Sequence, residues 1–337
     1  MKRVFKVVQF GLGPIGIETA KTILEKSTSG NVQLVGAIDI DPAKVGKDLG
    51  EILGNSSPLG IIVSDKPEEA LRATQPDVVL HTTSSFLERI YPQLEVCITS
   101  GVHIVSSAEE LFFPYDRHPK LSKELDELAT KHNVSVLGTG VNPGFVMDTL
   151  ALVATGVCTR VRSVRIERVV DASKRRLPLQ RKIGAGFSVQ EFEEKKKTGT
   201  FGHIGLRESL LFVADGLNWT LETIDELLQP MVASADVQTP YISVQKGQVT
   251  GIHHSITGRS NGTMKLSLDL KMYVGATDPH DTVFVDGDPP IELVIRNGVF
   301  GDSATVAALV NAIPLVVGAT PGLKTMKDLA IPRVFSA

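Results

Sequence analysis

Two adjacent carboxylates, Glu109 and Glu110, lie in the segment IVSSAEELFFP and have the chemistry needed to move a proton. An apolar, strand-like run and two serines precede them, and a second apolar run follows them. A carboxylate held beside a reacting carbon can take a proton from water and later return it to a leaving group. Successive residues of a helix point about 100° apart, so these two side chains are not expected to share one task.

The serines before the pair decide which carboxylate is predicted to be structural. If Ser107 caps the helix, Glu110 falls at the third helical position and completes a capping box of the S-x-x-E type. Glu109 is then left to face the cleft, and it is the preferred catalytic residue, with Glu110 as the alternative. If Ser106 begins the helix instead, Glu109 takes the capping position and the two roles exchange.

A glycine-rich turn near the start of the chain, VVQFGLGPIG, has the spacing of a nucleotide-binding loop. Its G-x-G-x-x-G pattern follows a strand-like run and opens a helical one. In this motif the first glycine makes the turn, the second lets backbone approach a pyrophosphate, and the third lets helix and strand pack closely. The helix start, with proline in its first turn, also favours an anion. The predicted dinucleotide contacts are Gly11, Leu12, Gly13, Pro14, Ile15 and Gly16.

An acidic residue closes the second strand-like run, LVGAIDIDP, and predicts which dinucleotide is bound. Asp39 follows the glycines at the distance where a carboxylate accepts hydrogen bonds from the adenosine ribose hydroxyls and repels a 2′-phosphate. No arginine follows at once, and the nearest cation is Lys44. The sequence therefore predicts NAD, with NADP as the disfavoured alternative. The plainer interpretation of Asp39 is a turn residue before Pro42.

Polar residues after later strand-like runs are placed to meet the nicotinamide half of the cofactor. Thr82, Thr83 and Ser84 follow the fourth run, in LHTTSSF, and Asn142 follows the sixth, in GTGVNPGF. Ligands of parallel α/β sheets bind at the carboxyl ends of the strands, where these residues fall. One serine of LHTTSSF is also expected to cap the next helix, and Gly144 is expected only to permit a turn.

The elements that must position these residues alternate between strand and helix over the first 140 residues or so. Short apolar runs rich in Val and Ile are separated by segments with apolar residues three to four apart. Such alternation predicts a Rossmann-type, doubly wound parallel sheet covered on both faces, which makes the fold class α/β. The predicted strands are RVFKVVQF, VQLVGAID, GIIVSD, PDVVLHTT, GVHIVSS and VSVLGTG. This NAD(P)-binding domain is assigned residues 1–145.

A different pattern follows, and it predicts a second, α+β domain over residues 146–300. RVRSVRIERVV and MKLSLDLKMYVGA alternate in polarity, which is typical of a mixed or antiparallel sheet with one solvated face. SVQEFEEKKKTG and LRESLLFVADGLN are predicted helices, and TIDELLQP is predicted as a further helix. The apolar DSATVAALVNAIPLVVGA predicts a buried helix, which with its turn-rich tail, residues 301–337, should return to the first domain.

Composition excludes several classes of function. The 337 residues carry a net charge of -3, so the chain lacks the basic excess expected of a nucleic-acid-binding protein. No run approaches the length of a membrane span, and no signal-peptide core is recognised, so a cytoplasmic location is predicted. Cys97 and Cys158 lie far apart without histidines at metal spacing, which disfavours disulfides and a zinc site and predicts buried fillers.

Five segments together resemble one enzyme family: FGLGPIG, SSAEEL, GTGVNPGF, VVDASKRRLPLQRKIGAG and FGHIGLRES. They are similar to the 2,4-diaminopentanoate dehydrogenases and the native amine dehydrogenases, within the dihydrodipicolinate-reductase-like superfamily. The resemblance runs over nearly the whole chain. It implies NAD(P)-dependent oxidative deamination of a small-molecule amine to a ketone and ammonia, with reductive amination as the reverse reaction. It also implies a catalytic glutamate within SSAEEL and a homodimer formed through the second sheet.

Dihydrodipicolinate reductase itself is disfavoured as an identity. Its histidine-rich, lysine-containing motif is missing, and GIHHSITGRSNGT is a poor substitute. His253 and His254 are therefore predicted to be sheet residues.

The implied reaction states what the remaining site residues must do. An amine that gives up hydride becomes an iminium; the attacking water must lose a proton, and the carbinolamine must gain one to expel ammonia. One carboxylate can make both transfers, so no metal is needed. A diamino acid also presents an ammonium and a carboxylate, which Asp171 with Arg168 or Arg175 could hold. His203 is a candidate pocket donor, and Phe145 is a candidate pocket wall.

Other functions use the same features. A dehydrogenase of a hydroxyl or a cyclic imine on this fold would release no ammonia, which separates it from the first hypothesis. A non-catalytic nucleotide-binding sensor needs the first domain only. The presence of Glu109, Asp171 and His203 together argues against the sensor.

Overall fold

The structure of the chain, a computed structural model, describes residues 3–28, 30–199 and 201–335. These residues divide into two units, of which the first runs to Gly144 and resumes at Phe300, and the second is Phe145–Val299.

The first unit is built on a parallel sheet whose strands alternate with helices along the chain. Its strands up to Gly144 are β1 Phe5–Phe10, β2 Val32–Ile38, β3 Val63–Ser64, β4 Val78–His81, β5 His103–Ser106 and β6 Ser135–Gly138. Its helices are α1 Pro14–Ser27, α2 Leu49–Leu53, α3 Pro67–Thr74, α4 Leu87–Thr99 and α5 Pro119–Lys131. The strands lie in the order β6-β5-β4-β1-β2-β3, and every neighbouring pair is parallel.

Helices cover both faces of this sheet, which explains why the middle of each longer strand is mostly apolar. Val78 to Leu80 of β4 are all fully buried. On α4 the buried residues recur three or four positions apart, at Ile90, Leu94, Cys97 and Ile98, so one face of the helix packs on the sheet. The doubly wound parallel sheet predicted from the alternating pattern is confirmed.

The second unit contains a mixed sheet with helices on one side of it. Its strands are β7 Arg160–Asp171, β8 Thr223–Val232, β9 Val237–Gln238, β10 Ser243–Val244, β11 Val249–Ser260, β12 Thr263–Tyr273, β13 His280–Asp288 and β14 Ile291–Arg296. Its helices are α6 Thr149–Thr155, α7 Leu177–Lys182, α8 Val189–Lys196 and α9 Leu206–Gly216. The main sheet has the order β14-β13-β7-β12-β11-β8, in which β7 and β12 are parallel and the other described neighbours are antiparallel.

Strand β12 shows how polarity assigns the two faces of this sheet. Leu266, Leu268 and Leu270 are buried, and α9 packs against β11 and β12. The intervening residues carry charge: Lys271 lies 2.9 Å from Glu167 of β7 and 3.2 Å from Asp269. One face is therefore apolar and packed, whereas the other is polar, as the alternation in MKLSLDLKMYVGA predicts.

The prediction of a helix for TIDELLQP is wrong, because this segment is the edge strand β8. Its apolar residues at Ile224, Leu227 and Leu228 fit a helical period, but its backbone pairs with β11 from Thr223 to Val232. Pro230 is tolerated because, within the described residues, β8 pairs with a strand on one side only. Tertiary pairing thus overrides a short helical pattern.

The C-terminal segment belongs to the first unit. Helix α10, Gly301–Val317, packs against α1 and against β4, β5 and β6. The segment predicted as a turn-rich tail contains a short strand, β15 Gly322–Lys324, which pairs in parallel with β6 and extends the sheet. Within the described residues no helix is both long enough and apolar enough to cross a membrane. Cys97 is buried as predicted, whereas Cys158 is partly exposed.

Candidate functional site

The glycine turn between β1 and α1 has the geometry that the motif demands. Gly11 has a φ of +94°, which side chains rarely adopt, and its amide donates to the carbonyl of Ile38 at 2.8 Å. A Cβ on Gly16 would lie 1.9 Å from the carbonyl oxygen of Gly11, so only glycine fits there. A Cβ on Gly13 would meet no atom of the described residues within 4 Å. Helix α1 begins at Pro14, and the open space at Gly13 suits the close approach of a pyrophosphate.

We expect Gly13→Ala to weaken NADH binding by about tenfold or more, because its methyl group would occupy that space. Its melting temperature should match that of the unchanged protein, since the methyl group clashes with no described atom. Gly16→Ala is the contrasting variant and should lower the melting temperature. NADH fluorescence titration and thermal unfolding measure the two effects. A Gly13→Ala protein that binds NADH normally would contradict this role.

Asp39 follows β2 directly and is held against the glycine turn. Its Oδ2 accepts a hydrogen bond from the amide of Leu12 at 2.6 Å, and its Oδ1 accepts one from the amide of Asp41 at 2.8 Å. The ammonium of Lys44 lies 3.5 Å from Oδ2 and 3.1 Å from the carboxylate of Asp41. Each carboxylate oxygen has a second lone pair, so Asp39 can still accept hydrogen bonds from the hydroxyl groups of a ribose. The residues present therefore fit the ribose end of a dinucleotide.

Sequence analysis missed Gln9, which stabilises the glycine turn by a hydrogen bond to its backbone. It is fully buried on β1, and its Nε2 donates to the carbonyl of Gly11 and contacts the Thr82 hydroxyl, each at 2.9 Å. Thr82 also donates to Gly11 at 2.9 Å. A lone polar residue inside the apolar run VVQF is the signal that could have indicated this role.

The loop after β4 places Thr82, Thr83 and Ser84 at the carboxyl edge of the parallel sheet. The expected serine cap of α4 does not form: the N-cap residue, Phe86, makes no side-chain cap hydrogen bond, and the Ser84 hydroxyl accepts from the amide of Phe86 at 3.4 Å, before the helix begins. The first amide of the helix, that of Leu87, instead donates to Oε2 of Glu110 at 2.8 Å. The cap of α4 therefore comes from the neighbouring loop after β5.

The predicted Ser107 capping box is wrong. The segment after β5 forms a single 3₁₀ turn, Glu109–Leu111, with Ala108 before it and no side-chain cap. The turn begins one residue too late for that box, because Ala108 occupies the N-cap position, and the chain continues as a loop until α5 begins at Pro119.

Glu110 is nevertheless a structural carboxylate, through other partners. It is buried, and in addition to Leu87 its Oε2 lies 2.9 Å from Nε2 of His118, a residue that sequence analysis did not single out. A carboxylate at the N-terminus of α4 is also favoured by the helix dipole. The carboxylate of Glu110 thus links the loop after β5 to the start of α4 and to His118.

Glu109 is half-buried, and its backbone is held from both directions. Before it, the amide of Ser107 donates to the carbonyl of His81 at 3.0 Å; after it, the amide of Glu110 donates to the carbonyl of Ser85 at 3.1 Å. The loops after β4 and β5 therefore form one hydrogen-bonded edge. Asn142, also half-buried, lies in the loop after β6, the next strand along this edge.

In the second unit, Arg168 forms a buried ion pair. It lies on β7 opposite Asp281 of β13, and its Nη1 donates to the Asp281 carboxylate at 2.7 Å, with both side chains 3% exposed. Its Nη2 donates to the carbonyl of Val299 at 2.8 Å, whose amide donates back to Asp281 at 2.7 Å. Much of the hydrogen-bonding capacity of Arg168 is therefore used inside the unit, a partnership that sequence analysis did not foresee.

His203 lies near several basic side chains of the second unit. Burial lowers its pKa well below the ordinary value, and His254, Lys182 and Arg168 lower it further. The glycine before it, Gly202, packs against Leu228, which pairs across the sheet with His254. His203 Nε2 is buried without a hydrogen-bond partner among the described residues.

His254 lies on β11, as predicted for a sheet residue, but on its covered face. Its Nε2 lies 2.9 Å from Glu226, whereas its Nδ1 is buried and makes no hydrogen bond within the described part of the chain. Sequence analysis assigned His254 no functional role. Its position near His203 follows from the pairing of β11 with β8.

The other predicted substrate residues of the second unit have different settings. Asp171 ends β7, and its Oδ1 accepts from the amide of Ser173 at 2.9 Å. Arg175 is buried and lies near enough to Arg168 to lower the pKa of that guanidinium. Phe145 is half-buried at the first position of the unit. Among the described residues no group of three or more His, Cys, Asp or Glu side chains could hold a metal ion.

Comparison with known families matches both parts of the chain. Residues 145–337 match the 2,4-diaminopentanoate dehydrogenase C-terminal domain, and residues 5–109 match the dihydrodipicolinate reductase N-terminus. The 2,4-diaminopentanoate dehydrogenase of Acetoanaerobium sticklandii is 34% identical, covering 97% of this chain and 94% of that protein. An amine dehydrogenase of Streptomyces virginiae is 24% identical over 89% and 90%.

Solved structures agree. The amine dehydrogenase of Mycobacterium smegmatis superposes with a TM-score of 0.84 at 28% identity, covering 98% of this chain and 97% of that one. A dihydrodipicolinate reductase from Paenisporosarcina, at 14% identity and a TM-score of 0.52 over 94% and 96%, supports the fold. The resemblance inferred from the motifs is confirmed, and with it the prediction of an NAD(P)-dependent dehydrogenase acting on an amine. The chain belongs to the 2,4-diaminopentanoate dehydrogenase family.

Proposed function

We propose that this protein oxidises the amine of a small amino-bearing carboxylic acid with NAD and releases a ketone and ammonia, with reductive amination as the reverse reaction. The observation that carries the proposal is the edge formed by the loops after β4 and β5, beside the glycine turn. On this edge Glu110 is tied to Leu87 and His118, while Glu109 comes from the same turn. A site for a dinucleotide and a candidate proton carrier thus occur on one sheet.

Glu109 is assigned the proton transfers of this reaction. A dinucleotide held by the glycine turn and Asp39 would supply the acceptor for a hydride from the amine-bearing carbon, and the substrate would then be an iminium. Glu109 stabilises that cation, takes a proton from the attacking water, and returns it to the nitrogen so that ammonia can leave. The balance is amine, NAD⁺ and water giving ketone, ammonium and NADH. The hydrogen bonds of Ser107 and Glu110 to the loop after β4 hold the backbone of Glu109 for these steps.

NAD is proposed as the preferred cofactor because the carboxylate of Asp39, at the end of β2, would repel a 2′-phosphate on the adenosine ribose. We expect Asp39→Asn to lower the preference for NADH over NADPH by about tenfold, since it removes the repelling charge but keeps an acceptor for Leu12. Lys44→Met should act in the opposite sense, because it removes the cation nearest to Asp39. Fluorescence titration with both cofactors gives the ratio, and an unchanged ratio in Asp39→Asn would contradict the assignment.

A carboxylate on the substrate is proposed because basic side chains lie close to His203. Lys182, Arg168 and His254 all disfavour a proton on this imidazole, and Arg175 lies close to Arg168. Such surroundings attract an anion. Asp171 is the candidate partner for a second ammonium group, and Phe145 remains a candidate apolar wall. The relative from Acetoanaerobium sticklandii is named for a diamino acid, which has both charges.

A substrate panel tests the activity directly. The purified protein is incubated with NAD and 2,4-diaminopentanoate, and with matched amines that lack the carboxylate. We expect NADH and ammonia in equal amounts, with a higher kcat/KM for the acid than for the neutral analogues. NADH without ammonia would indicate oxidation of a hydroxyl instead, and no turnover of any amine in either direction would refute the proposal.

A homodimer formed through the mixed sheet is also proposed. Its polar face carries residues of both charges, such as Glu167, Asp269 and Lys271, which can complement a second copy. Sedimentation equilibrium measures the mass, and a monomer at micromolar concentration would contradict it. The cytoplasmic location predicted from the sequence stays a prediction.

A further inference from the structure

A chain of hydrogen-bonded polar groups lies beneath the edge that carries Glu109, and at its centre are the buried side chains of His81 and Ser106. This histidine is the last residue of β4 and is fully buried, with the ring of Phe10 packed edge-on against it at 5.4 Å. Its Nδ1 lies 2.9 Å from the hydroxyl of Ser106, the last residue of β5. Its Nε2 lies 2.7 Å from Oε1 of Gln93 on α4 and 2.9 Å from the hydroxyl of Thr83.

The partners decide where the proton of His81 lies. The Thr83 hydroxyl donates to Oε1 of Gln93 at 2.7 Å, so this amide oxygen is an acceptor. His81 must then donate to it from Nε2–H. Nδ1 is therefore the acceptor, and the Ser106 hydroxyl donates to it. Burial lowers the pKa of His81 to about 4, so the imidazole is neutral at pH 7 and can both donate and accept.

The chain reaches the catalytic candidate on one side and the cofactor loop on the other. The Ser106 oxygen accepts a hydrogen bond from the amide of Ala108 at 3.2 Å, and Ala108 immediately precedes Glu109. At the other end, Thr83 lies in the loop that packs against Gly11. A Cβ added to Gly11 would lie 2.9 Å from the methyl group of Thr83. Each hydrogen bond points the same way from Ala108 to Gln93.

We propose that His81 is a positioning residue: its neutral imidazole fixes the position of the loop that carries Glu109 relative to the loop that carries Thr83. The expected effect on kcat rests on the proposed function, whereas the expected hydrogen bonds of His81 do not. A change of about 1 Å in the position of a proton carrier can cost a large part of the rate. His81 touches neither substrate nor cofactor in this role; it acts through Ser106 and Gln93.

The experiment compares Ser106→Ala and His81→Asn with His103→Asn as a matched control. His103 lies at the first position of β5, the strand that ends in Ser106, and it accepts a hydrogen bond from the amide of Ser135 at 3.0 Å. It lies at the opposite, amino edge of the sheet, so its loss should affect stability without moving Glu109. Ser106→Ala removes a single hydroxyl and keeps the test usable if His81→Asn does not fold.

We expect Ser106→Ala and His81→Asn to lower kcat for deamination by about 10-fold to 100-fold, with the Kd for NADH within about threefold of the unchanged protein. His103→Asn should leave kcat unchanged. Equal kcat values in folded Ser106→Ala and in the unchanged protein would overturn the proposal. So would a loss of rate in His103→Asn as large as that in Ser106→Ala, because a general loss of stability would then explain both.

Measurements on the cofactor-free protein decide the structural part even if no amine is turned over. Nitrogen-15 NMR should show His81 as a neutral imidazole protonated at Nε2 at pH 7. The amide of Ala108 should exchange with solvent faster in Ser106→Ala than in the unchanged protein, whereas it should not in His103→Asn. A proton on Nδ1, or an unchanged exchange rate at Ala108, overturns the proposal. An inactive protein with both expected signals refutes the proposed function only.

Discussion

Replacing Glu109 with glutamine is expected to lower kcat for deamination by about 10²-fold to 10⁴-fold, because the amide can neither take a proton from water nor return one to the leaving nitrogen. Shape and burial change little, so the Kd for NADH should stay close to that of the unchanged protein. Single-turnover kinetics with NAD and the preferred amine, together with NADH fluorescence titration, measure the two quantities separately.

The matched control is Glu110→Gln, one residue later in the same 3₁₀ turn. Its amide oxygen can still accept from Leu87, but the carboxylate that contacts His118 and the favourable negative charge at the start of α4 are lost. We expect a loss of about 1 to 3 kcal/mol in the free energy of unfolding and a smaller loss of kcat than for Glu109→Gln. If Glu110→Gln is the inactive variant and Glu109→Gln the unstable one, the two roles must be exchanged. Full activity in both would exclude this turn as the source of the proton carrier.

Replacing Asp281 with asparagine is expected to lower the free energy of unfolding by about 3 to 5 kcal/mol, because Arg168 is left charged and buried without its partner. The desolvation is severe: burial raises the pKa of Asp281 and lowers that of Arg168, against the attraction between them. Urea unfolding followed by circular dichroism measures the change, if the variant can be purified. A double variant, Arg168→Met with Asp281→Leu, should be more stable than Asp281→Asn, because it removes both buried charges.

The control for this pair lies on the same two strands. Asp286 of β13 contacts Arg162 of β7 at 2.8 Å, but the two side chains are 55% and 45% exposed. Water already solvates this pair, so Asp286→Asn should change stability far less than Asp281→Asn. Equal losses in the two variants would show that burial is not what makes the Arg168 pair matter.

The parallel sheet and its nucleotide turn were predictable because their signals are local. Strands covered on both faces must be apolar throughout, and the alternation of such runs with amphipathic helices survives in the sequence. The glycine roles are equally local: Gly16 lies in contact with Gly11, five positions away, so the spacing alone states the requirement. TIDELLQP failed for the opposite reason, since its apolar residues suit either period and only pairing with β11 decides between them.

The two glutamates show where local reasoning ends. The sequence predicted a structural role for Glu110 through a serine cap, and that cap does not form. The group that holds Glu110 is the amide of Leu87, 23 positions earlier, at the start of α4. Nothing in SSAEEL indicates that partner, because hydrogen bonds between loops depend on which strands lie side by side.

By itself, the amino-acid sequence determined the parallel sheet, the glycine turn with Asp39 beside it, and the family to which the chain belongs. Each rests on residue types at short, regular spacings, which act through the geometry of a single turn, strand or helix. Only the tertiary structure decided that Arg168 pairs with Asp281, 113 positions away, and that His81 joins Ser106 to Gln93. Buried polar groups must find partners wherever the fold places them, and that choice is made by the packing of strands and not by their order in the chain.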